Sequence, residues 1–202
     1  MANSKPLIHW TPEMYSKLSS SYDALAPIFF SMGEKAKHKV ANQLSSGSVL
    51  DIACGTGALL ASAQDKGLRC FGIDTSIGMI EVARKKVPGG KFKIGSFYDL
   101  PYAENSFDNV VETNAVSGIS VNVEQVISEM LRVCKPGGKI LIGDYCSPPK
   151  DNLVTQVMIW IGHKIGDHPN DFSLIFKKLG CDPVVEILGW GGIFQVISVR
   201  IP

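Results

Sequence analysis

The sequence predicts an α/β fold in which a doubly wound, mostly parallel sheet carries helices on both faces. Three observations predict it: short apolar runs alternate with segments of helical composition, a glycine turn follows the first run, and two Pro-Gly-Gly turns punctuate the series. Alternating strands and helices place parallel strands side by side, with crossover helices covering both faces. The 202 residues, 45% of them hydrophobic, are enough for one such domain.

The first 44 residues show no strand alternation. Apolar residues at helical spacing, among them Tyr15, Leu18 and Tyr22, predict two helices between residues 12 and 44. Proline removes a backbone donor and interrupts a helix, so we expect Pro27 to separate the two.

A repeated order of strand and helix follows. The predicted strands are Ser48–Ala53, Arg69–Asp74, Lys91–Ile94, Phe107–Thr113 and Lys139–Gly143, and the helices between them are Ala58–Gln64, Ile77–Lys86 and Val123–Cys134. Beyond Asp144 we expect helices at 152–164 and 170–179. Two closing strands, at 184–188 and 194–200, flank a glycine-rich turn, which predicts an antiparallel hairpin at the sheet edge.

Composition excludes several classes of protein. Twenty basic and nineteen acidic residues leave a net charge of +1, so no overall field would attract nucleic acid. The longest run without Asp, Glu, Lys or Arg has 13 residues, too few to span a bilayer. The first residues lack the apolar run of a signal peptide. Five cysteines without a Cys-x-x-Cys pair indicate neither a disulfide framework nor a metal site, and we expect a cytoplasmic protein.

The glycine turn is the first candidate site. Cys54-Gly-Thr-Gly57 follows the first strand, where an open sheet has its ligand crevice. Asp74 closes the second strand, and an acidic side chain there accepts hydrogen bonds from both ribose hydroxyls. Leu60 occupies the position where a dinucleotide fingerprint needs a small residue, which favours a nucleoside without a phosphate chain. A tight turn without a ligand is the alternative.

Four segments in order resemble one family. They are Val49-Leu-Asp-Ile-Ala-Cys-Gly-Thr-Gly57, Gly72-Ile-Asp-Thr-Ser-Ile-Gly-Met79, Gly95-Ser-Phe-Tyr-Asp-Leu-Pro101 with Ser106-Phe-Asp108, and Leu131-Arg-Val-Cys-Lys-Pro-Gly-Gly-Lys-Ile-Leu141. Together they resemble the motifs of the class I S-adenosylmethionine-dependent methyltransferases. The resemblance covers about half of the chain and implies a Rossmann-like fold, methyltransferase activity and S-adenosyl-L-methionine as cofactor.

The resemblance also implies cofactor contacts. They fall on Asp51, Ala53, Gly55, Thr56 and Gly57 around the methionine part, Asp74 and Thr75 at the ribose, Met79, Ser96 and Phe97 at the adenine, and Thr113 and Asn114 beside the transferred methyl. Ala53 stands where a glycine is usual, which we expect to be tolerated only at a negative φ. Ser96 replaces a common aspartate, so adenine recognition would rest on backbone groups. Met79 and Phe97 are equally compatible with simple core positions.

The segment Tyr15–Pro27 resembles the lid helix of methyltransferases of ubiquinone and menaquinone biosynthesis. The resemblance implies that Tyr22 roofs the methyl group and that Tyr15 lines the entrance, with packing onto the sheet as the alternative. An acceptor that must lose a proton gains from a general base. His163 is the candidate base, although a surface histidine at a helix end is an equal interpretation.

The apolar stripe Leu153–Ile161 would line the acceptor pocket, with Trp160 as a substrate contact, and would then indicate a lipophilic acceptor. A partly exposed Trp160 would also contact membrane lipid at the periphery. Most stripes of this kind are core, which is the other interpretation.

We therefore expect a single methyltransferase domain over residues 1–202. It comprises N-terminal lid helices (1–44), a cofactor-binding core (45–145), and substrate-side helices with closing strands (146–202). The predicted function is in-line methyl transfer, without metal, to a small lipophilic acceptor such as a quinone-type ring, an amine or a phospholipid head group. A non-catalytic sensor or subunit that binds S-adenosylmethionine or another nucleoside is the alternative. Nucleic acid is disfavoured as acceptor, because no Asn/Asp-Pro-Pro-aromatic element follows the fourth strand. The oligomeric state is not predicted.

Overall fold

A computed structural model describes residues 7, 10–29, 31–118 and 120–202. In this part of the chain, seven strands form one sheet in the order β3-β2-β1-β4-β5-β7-β6. The strands are β1 (Ser48–Ile52), β2 (Arg69–Asp74), β3 (Lys91–Ile94), β4 (Phe107–Thr113), β5 (Cys134–Tyr145), β6 (Val184–Gly189) and β7 (Phe194–Arg200). The helices are α1 (Pro12–Leu18), α2 (Tyr22–Phe29), α3 (Ser31–Gln43), α4 (Ala58–Asp65), α5 (Ile77–Lys86), α6 (Val123–Val133), α7 (Leu153–Ile165) and α8 (Phe172–Lys178).

Strands β1 to β5 are parallel, and the order reverses beside β1. The chain runs from β1 outward through β2 to β3, then returns to pair β4 with the other side of β1. Ligands of open α/β sheets bind at such a reversal, beyond the carboxyl ends of the strands. The doubly wound fold class predicted from the sequence is confirmed, and its crevice lies above β1 and β4.

The predicted edge hairpin is also confirmed. Strand β7 pairs antiparallel with β5, and β6 pairs antiparallel with β7 at the edge. A single 3₁₀ turn, Trp190–Gly192, joins the two strands. Among the described residues, no helix has both the length and the apolar character needed to cross a membrane.

Each face of the sheet has its own apolar core. On one face, Val40 of α3, Leu60 of α4 and Ile80 of α5 pack against Val49 and Val111 of the sheet. The other face packs α6 and α8 against the sheet through residues that include Val126, Met130, Phe172 and Phe176. Leu60, the residue that disfavoured a dinucleotide, is fully buried in the first core.

The expected helix break at Pro27 is wrong. Pro27 lies inside α2, and the described residues of this segment form three helices rather than two. The first break falls at residues 19–21, where the hydroxyls of Ser19 and Ser21 donate to the carbonyls of Ser16 and Leu18. Serine hydroxyls compete in this way with helical hydrogen bonds. Helix α2 ends two residues after Pro27, so the missing proline N–H affects only its last turn.

The predicted Pro136-Gly-Gly138 turn lies within a longer strand. Strand β5 begins at Cys134, which pairs with Phe107, and the register with β4 then shifts so that Asn109 pairs with Lys139. Gly137 has φ +74°, a conformation that glycine adopts without strain. The segment is therefore an irregularity inside β5, and the strand continues to Tyr145.

Candidate active site

The glycine turn connects β1 to α4 at the reversal point of the sheet. Gly55 and Gly57 have φ values of +51° and +74°. A Cβ atom added to Gly57 would lie 3.1 Å from the Cβ of Ala83, so Gly57 permits the close packing of α4 on α5. A Cβ atom added to Gly55 would meet nothing within 4 Å. The turn therefore presents open space and bare backbone at Gly55.

Ala53, just before this turn, corrects one expectation. Its φ is +53°, not negative. The backbone turns sharply here, between the last β1 residue and Cys54, whose N–H donates to the carbonyl of Ile73 at 3.0 Å. A left-handed conformation costs a residue with a Cβ atom about 1–2 kcal/mol. The position thus keeps the backbone shape of a glycine although its residue is alanine.

Asp74 is held by the backbone at the end of β2. One carboxylate oxygen accepts the Gly55 N–H and the other accepts the Ser76 N–H, both at 2.8 Å. Burial raises the pKa of Asp74, and the backbone N–H groups act against that rise. A carboxylate offers about four lone-pair positions, so both oxygens retain the capacity to accept another hydrogen bond. The side chain is thereby oriented and still available.

Asp51 in β1 is almost completely buried, with 2% of its surface exposed. No described residue donates a hydrogen bond to its carboxylate. Burial raises the pKa of Asp51 to about 8; the Lys37 charge acts in the opposite direction, and the Asp74 charge raises the pKa further. The carboxylate therefore keeps its full capacity to accept a hydrogen bond from a bound group.

Helix α1 is tied to the start of α5. The Ser16 hydroxyl is 2.8 Å from the Ser76 hydroxyl and accepts the Gly78 N–H at 3.1 Å. A Cβ atom added to Gly78 would lie 2.7 Å from the Ser16 carbonyl oxygen. The absence of a side chain at Gly78 therefore allows α1 to lie directly on α5.

Helix α2 is tied to the glycine turn. The Thr56 hydroxyl donates to Asp23 at 2.6 Å, and Lys86 of α5 contacts both the Asp23 carboxylate and the Thr56 hydroxyl. Burial raises the pKa of Asp23, but the hydrogen bonds from Lys86 and Thr56 outweigh it and leave the pKa lowered. Together with α1, this places an N-terminal lid over the carboxyl ends of β1 and β2.

Tyr15 and Tyr22 lie on the lid helices with their ring centroids 6.3 Å apart, edge to face. Both are half-buried. Burial raises the pKa of both phenols, that of Tyr22 to about 12, and the carboxylates of Asp74 and Asp167 raise them further. The two rings therefore lie within electrostatic range of the carboxylates of the crevice, and each phenol is neutral at physiological pH.

The predicted adenine contacts surround the ends of β2 and β3. Met79 is buried, whereas Thr75 is exposed. The Ser96 hydroxyl accepts the Tyr98 N–H at 3.1 Å, and Phe97 packs edge to face on Tyr98 at 4.8 Å. Phe97 also packs against the core, so its alternative interpretation as a core residue is compatible with the structure.

Thr113 and Asn114 end β4, on the far side of the crevice. Asn114 has φ +59°, and its amide donates to the Gly33 carbonyl at 3.2 Å. This contact ties the end of β4 to α3. Thr113 is half-buried and Asn114 is exposed.

Sequence reasoning missed three acidic residues near β4 and β5. Glu112 is fully buried; one of its oxygens accepts the Ala115 N–H at 2.7 Å, and the other has no partner among the described residues. Asp144 accepts the N–H groups of Val116 and Tyr145. Burial raises the pKa of Glu112, that of Asp144 to about 7 and that of Asp167 to about 6. Glu112 and Asp144 lie near the carboxyl ends of β4 and β5, where a ligand crevice is expected, so their positions could have indicated them. Asp167 follows a helix, and its position in the sequence indicates nothing.

His163 and Trp160 both lie on α7. The His163 ring stacks on His168 at 5.2 Å, with 2.9 Å between its Nε2 and the His168 Nδ1. Burial lowers the pKa of His168, and the charge of His163 lowers it further. Trp160 is 62% exposed, and Lys164 lies over its ring at 5.9 Å. The stripe Leu153–Ile161, for which burial in the core was the other interpretation, presents an outward apolar face.

Two shallow depressions lie away from the crevice. The larger, about 500 Å³, is lined by residues that include Leu68, Arg69 and Lys91 at the amino ends of β2 and β3. The other lies between α3 and β6. Neither contains the unpartnered carboxylates described above, so we place the candidate site in the crevice beneath the lid.

Similarity to known proteins decides the family. Residues 50–142 match a family model described as a methyltransferase domain. The demethylmenaquinone methyltransferase of Thermotoga maritima is 30% identical over 193 residues, which cover 87% of this chain and 84% of the relative. The chain belongs to the class I S-adenosylmethionine-dependent methyltransferases. The family predicted from the four sequence segments is thereby confirmed.

Two further proteins are similar to this chain. The demethylmenaquinone methyltransferase of Renibacterium salmoninarum is 31% identical over 140 residues, or 67% of this chain. The matched region covers only 58% of that relative, so the chain spans less than two thirds of its length. A Haloferax volcanii complex of the Trm112 methyltransferase activator with a putative methyltransferase has the same fold. Its TM-score is 0.74 at 18% identity, over 93% of this chain and 97% of that one.

The methyl donor of this family is S-adenosylmethionine, and the residues of this chain fit it. Asp51 has an unpartnered buried carboxylate, which an ammonium group would satisfy. Asp74 keeps free acceptor capacity for a diol. The open space at Gly55 admits a ligand between them. The predicted cofactor is thereby confirmed at the level of the family.

Proposed function

We propose that this methyltransferase methylates a small lipophilic acceptor with a hydroquinone-type ring. The unpartnered Asp51 carboxylate beside the oriented Asp74 carries the cofactor part of the proposal. The names of the two demethylmenaquinone relatives support the acceptor class. Amines and phospholipid head groups are the other acceptors of the same proposal.

The predicted cofactor contacts become proposed roles. Asp51 would accept from the ammonium group, with Ala53, Gly55, Thr56 and Gly57 forming the turn around it. Asp74 and Thr75 would face the ribose, and Met79, Ser96 and Phe97 would surround the adenine. Thr113 and Asn114 would lie beside the methyl group. The bound cofactor supplies an electrophilic methyl group on a sulfonium.

The remaining chemistry is positioning. Methyl transfer in line requires that donor and acceptor be held in a near-attack geometry, which contributes much of the rate. Tyr22 would roof the methyl group and Tyr15 would line the entrance, while the lid excludes water. His163, next to His168, is one candidate for the residue that removes the acceptor's proton.

An acceptor panel tests the proposal. We would incubate the protein with S-adenosylmethionine and a short-chain demethylmenaquinol, tyramine or phosphatidylethanolamine, and quantify S-adenosylhomocysteine by chromatography. Turnover with the quinol supports the acceptor class, and turnover only with tyramine or the phospholipid redirects it. Tight cofactor binding without turnover on any of them favours the non-catalytic sensor or subunit instead.

We also propose peripheral membrane contact through α7. Leu153, Val154, Val157, Trp160 and Ile161 are each at least 40% exposed and recur at helical spacing. Helix α7 contains no acidic residue, and Lys164 lies over the Trp160 ring. Aromatic and basic side chains beside an apolar face are typical of helices that lie in a membrane interface.

Vesicle flotation tests this contact. Trp160→Ala should reduce recovery with anionic vesicles several-fold, because the most amphipathic contact is lost. Leu174→Ala on α8 is a matched control, since Leu174 is also exposed but lies on another helix. Equal flotation of wild-type protein and Trp160→Ala would contradict the contact.

We propose a cytoplasmic location and a small-molecule acceptor without nucleic acid. The five cysteines, all in the described part of the chain, are free thiols, which supports a reducing compartment. The net charge of +1 supports the exclusion of nucleic acid. The division into lid, core and acceptor-side segments is part of the same proposal.

A further inference from the structure

The acceptor side of the crevice contains a carboxylate to which the proposed function assigns no role, that of Asp167. It follows Gly166, whose left-handed conformation ends α7. Its backbone pairs with Gly118 in a short antiparallel bridge, and the next N–H, that of His168, donates to the Ser117 carbonyl at 2.6 Å. The loop after α7 is thereby fixed against the loop after β4, at the carboxyl ends of the strands.

Three tyrosines and one acid lie within electrostatic range of this carboxylate. Burial raises the pKa values of Tyr15 on α1, Tyr22 on α2 and Tyr145 on β5, and the charge of Asp167 raises each further. Burial also raises the pKa of Asp144 on β5, and the charge of Asp167 raises it further. Elements from both ends of the chain therefore feel the charge of Asp167.

The Asp167 carboxylate has no hydrogen-bond donor among the described residues. Burial raises its pKa to about 6. A group of this kind is largely ionised at neutral pH and still holds a proton well enough to act as a general base, whose best pKa lies near the working pH. Its rigid loop, its aromatic surroundings and its unfilled acceptor capacity all suit a hydroxyl group bound beside it.

We infer that Asp167 is the general base of the acceptor site and takes the proton from a hydroxyl group or hydroquinone ring. The inference rests on the proposed function and assigns the base role to Asp167 rather than to His163. As the acceptor atom bonds to the methyl carbon, the carbon–sulfur bond breaks with its electron pair on sulfur. The acceptor's proton passes to the Asp167 carboxylate and is then released to water. The same negative charge disfavours acceptors that are themselves anionic.

Binding of two probes tests the inference without turnover. The protein, loaded with S-adenosylhomocysteine, is titrated with 1-naphthol or 1-naphthyl phosphate by calorimetry between pH 5 and 8. We expect wild-type affinity for 1-naphthol to rise several-fold as the pH passes through about 6, because an ionised carboxylate is the stronger acceptor. The phosphate ester should bind at least tenfold more weakly at pH 8.

The variants separate Asp167 from its neighbours. Asp167→Asn should remove the pH dependence and bring the two probes to within about threefold, while Asp167→Glu keeps both properties in part. Asp182→Asn, an exposed aspartate, should behave as wild type. His163→Ala tests the competing candidate base and should keep the pH dependence of naphthol binding. A naphthol profile that persists in Asp167→Asn, disappears in His163→Ala, or is absent from wild-type protein would overturn the inference.

Turnover separates this inference from the proposed function. With the short-chain demethylmenaquinol, kcat/KM of wild type should rise with pH to a plateau above about 6. Asp167→Asn should lose this limb and at least tenfold of the rate, with the affinity for S-adenosylhomocysteine within twofold. Failure of wild-type protein to bind S-adenosylhomocysteine would remove the proposed function itself. Retained binding and turnover with an unchanged profile in Asp167→Asn would remove only the general base.

Discussion

The two sides of the crevice are assembled from different kinds of sequence. On the cofactor side, Asp51 and the glycine turn are neighbours in the chain. Asp74 accepts hydrogen bonds from Gly55 of that turn and from Ser76 just after its own strand. On the acceptor side, Tyr15 and Tyr22 approach Asp167, which lies about 150 residues later. Two short connections between residues 117–118 and 167–168 hold that side together.

The difference shows how one fold combines a cofactor site built from neighbouring segments with an acceptor site built from distant ones. A site made of adjacent turns of parallel strands is fixed as soon as the sheet forms, because its hydrogen bonds are short-range. A site made of distant segments depends on loops and a lid, which change without disturbing the sheet. The following variants probe this contrast, from the largest expected effect to the smallest.

On the cofactor side, substitution of Asp74 alone should strongly weaken cofactor binding. Asp74→Ala removes the proposed ribose acceptor and the partner of the Gly55 N–H, so affinity for S-adenosylhomocysteine should fall by about 1–3 kcal/mol, or roughly 5- to 150-fold. Isothermal titration measures it. Asp182→Ala is the control, and Asp74→Asn, which keeps one acceptor oxygen, should fall between. An Asp74→Ala affinity within twofold of wild type would place the nucleoside elsewhere.

On the acceptor side, the buried carboxyl of Glu112 should make the free energy of unfolding depend on pH. Burial raises the pKa of Glu112, and the charge of Asp144 raises it further, so the folded state keeps a proton that the unfolded state releases above about pH 4.5. Stability from this residue is therefore greatest at low pH and falls as the pH rises.

Glu112→Gln replaces the buried carboxyl by a neutral isostere and should remove this loss. Its Tm relative to wild type should rise from pH 5 to pH 8, by an amount on the order of 2–4 °C for each kcal/mol recovered. Differential scanning calorimetry follows it, with the exposed Glu104→Gln as control. A constant Tm difference across this pH range would contradict the assignment.

The lid joins the two sides, and Asp23 is its main polar contact with the turn. Asp23→Asn should weaken the contacts with Lys86 and Thr56 by about 1 kcal/mol or less, since the ion pair is partly exposed. Release of S-adenosylhomocysteine should then be about two- to fivefold faster in stopped-flow experiments. Lys86→Met should act similarly, and the double variant should add little. Release at the wild-type rate in both would show that the lid is held by other contacts.

Ala53 tests whether the turn tolerates its strain. Ala53→Gly should relieve about 1–2 kcal/mol of left-handed strain, offset by roughly 0.5–1 kcal/mol of added backbone entropy in the unfolded state. We expect a net gain between about 0 and 1.5 kcal/mol, measured by urea unfolding. Ala61→Gly, within α4, should instead lose stability. A loss in Ala53→Gly would mean that its methyl group stabilises the fold more than the strain costs.

The sequence predicted the parts of the molecule whose signals are local. The strands from Arg69 to Thr113 follow from apolar runs between turn residues, and Asp51 and Asp74 follow from their places at two adjacent strands. Pro27 was misjudged because the helix break depends on serine hydroxyls at 19 and 21 that compete for carbonyls. The left-handed φ of Ala53 has no signature in its residue type.

Asp167 and the outward face of α7 lay beyond sequence reasoning for a different reason. An apolar stripe such as Leu153–Ile161 reads the same in the sequence whether it is covered or not, and only the packing of neighbouring elements decides. Asp167 acquires its raised pKa from burial, so nothing adjacent to it in the chain indicates it. Both are properties of tertiary arrangement, and the acceptor side consists mainly of such properties.

Gly78 lies in a segment that resembles a cofactor-binding motif, yet the absence of a side chain at Gly78 matters mainly for the packing of α1. A single methyl group at this position would press against the Ser16 carbonyl and act as a wedge beneath α1. The lid would then cover the crevice less completely. Water would reach the transferred methyl group, and the proposed cofactor and acceptor would dissociate faster. The absence of a side chain at Gly78 thus determines how closely the lid can cover the crevice.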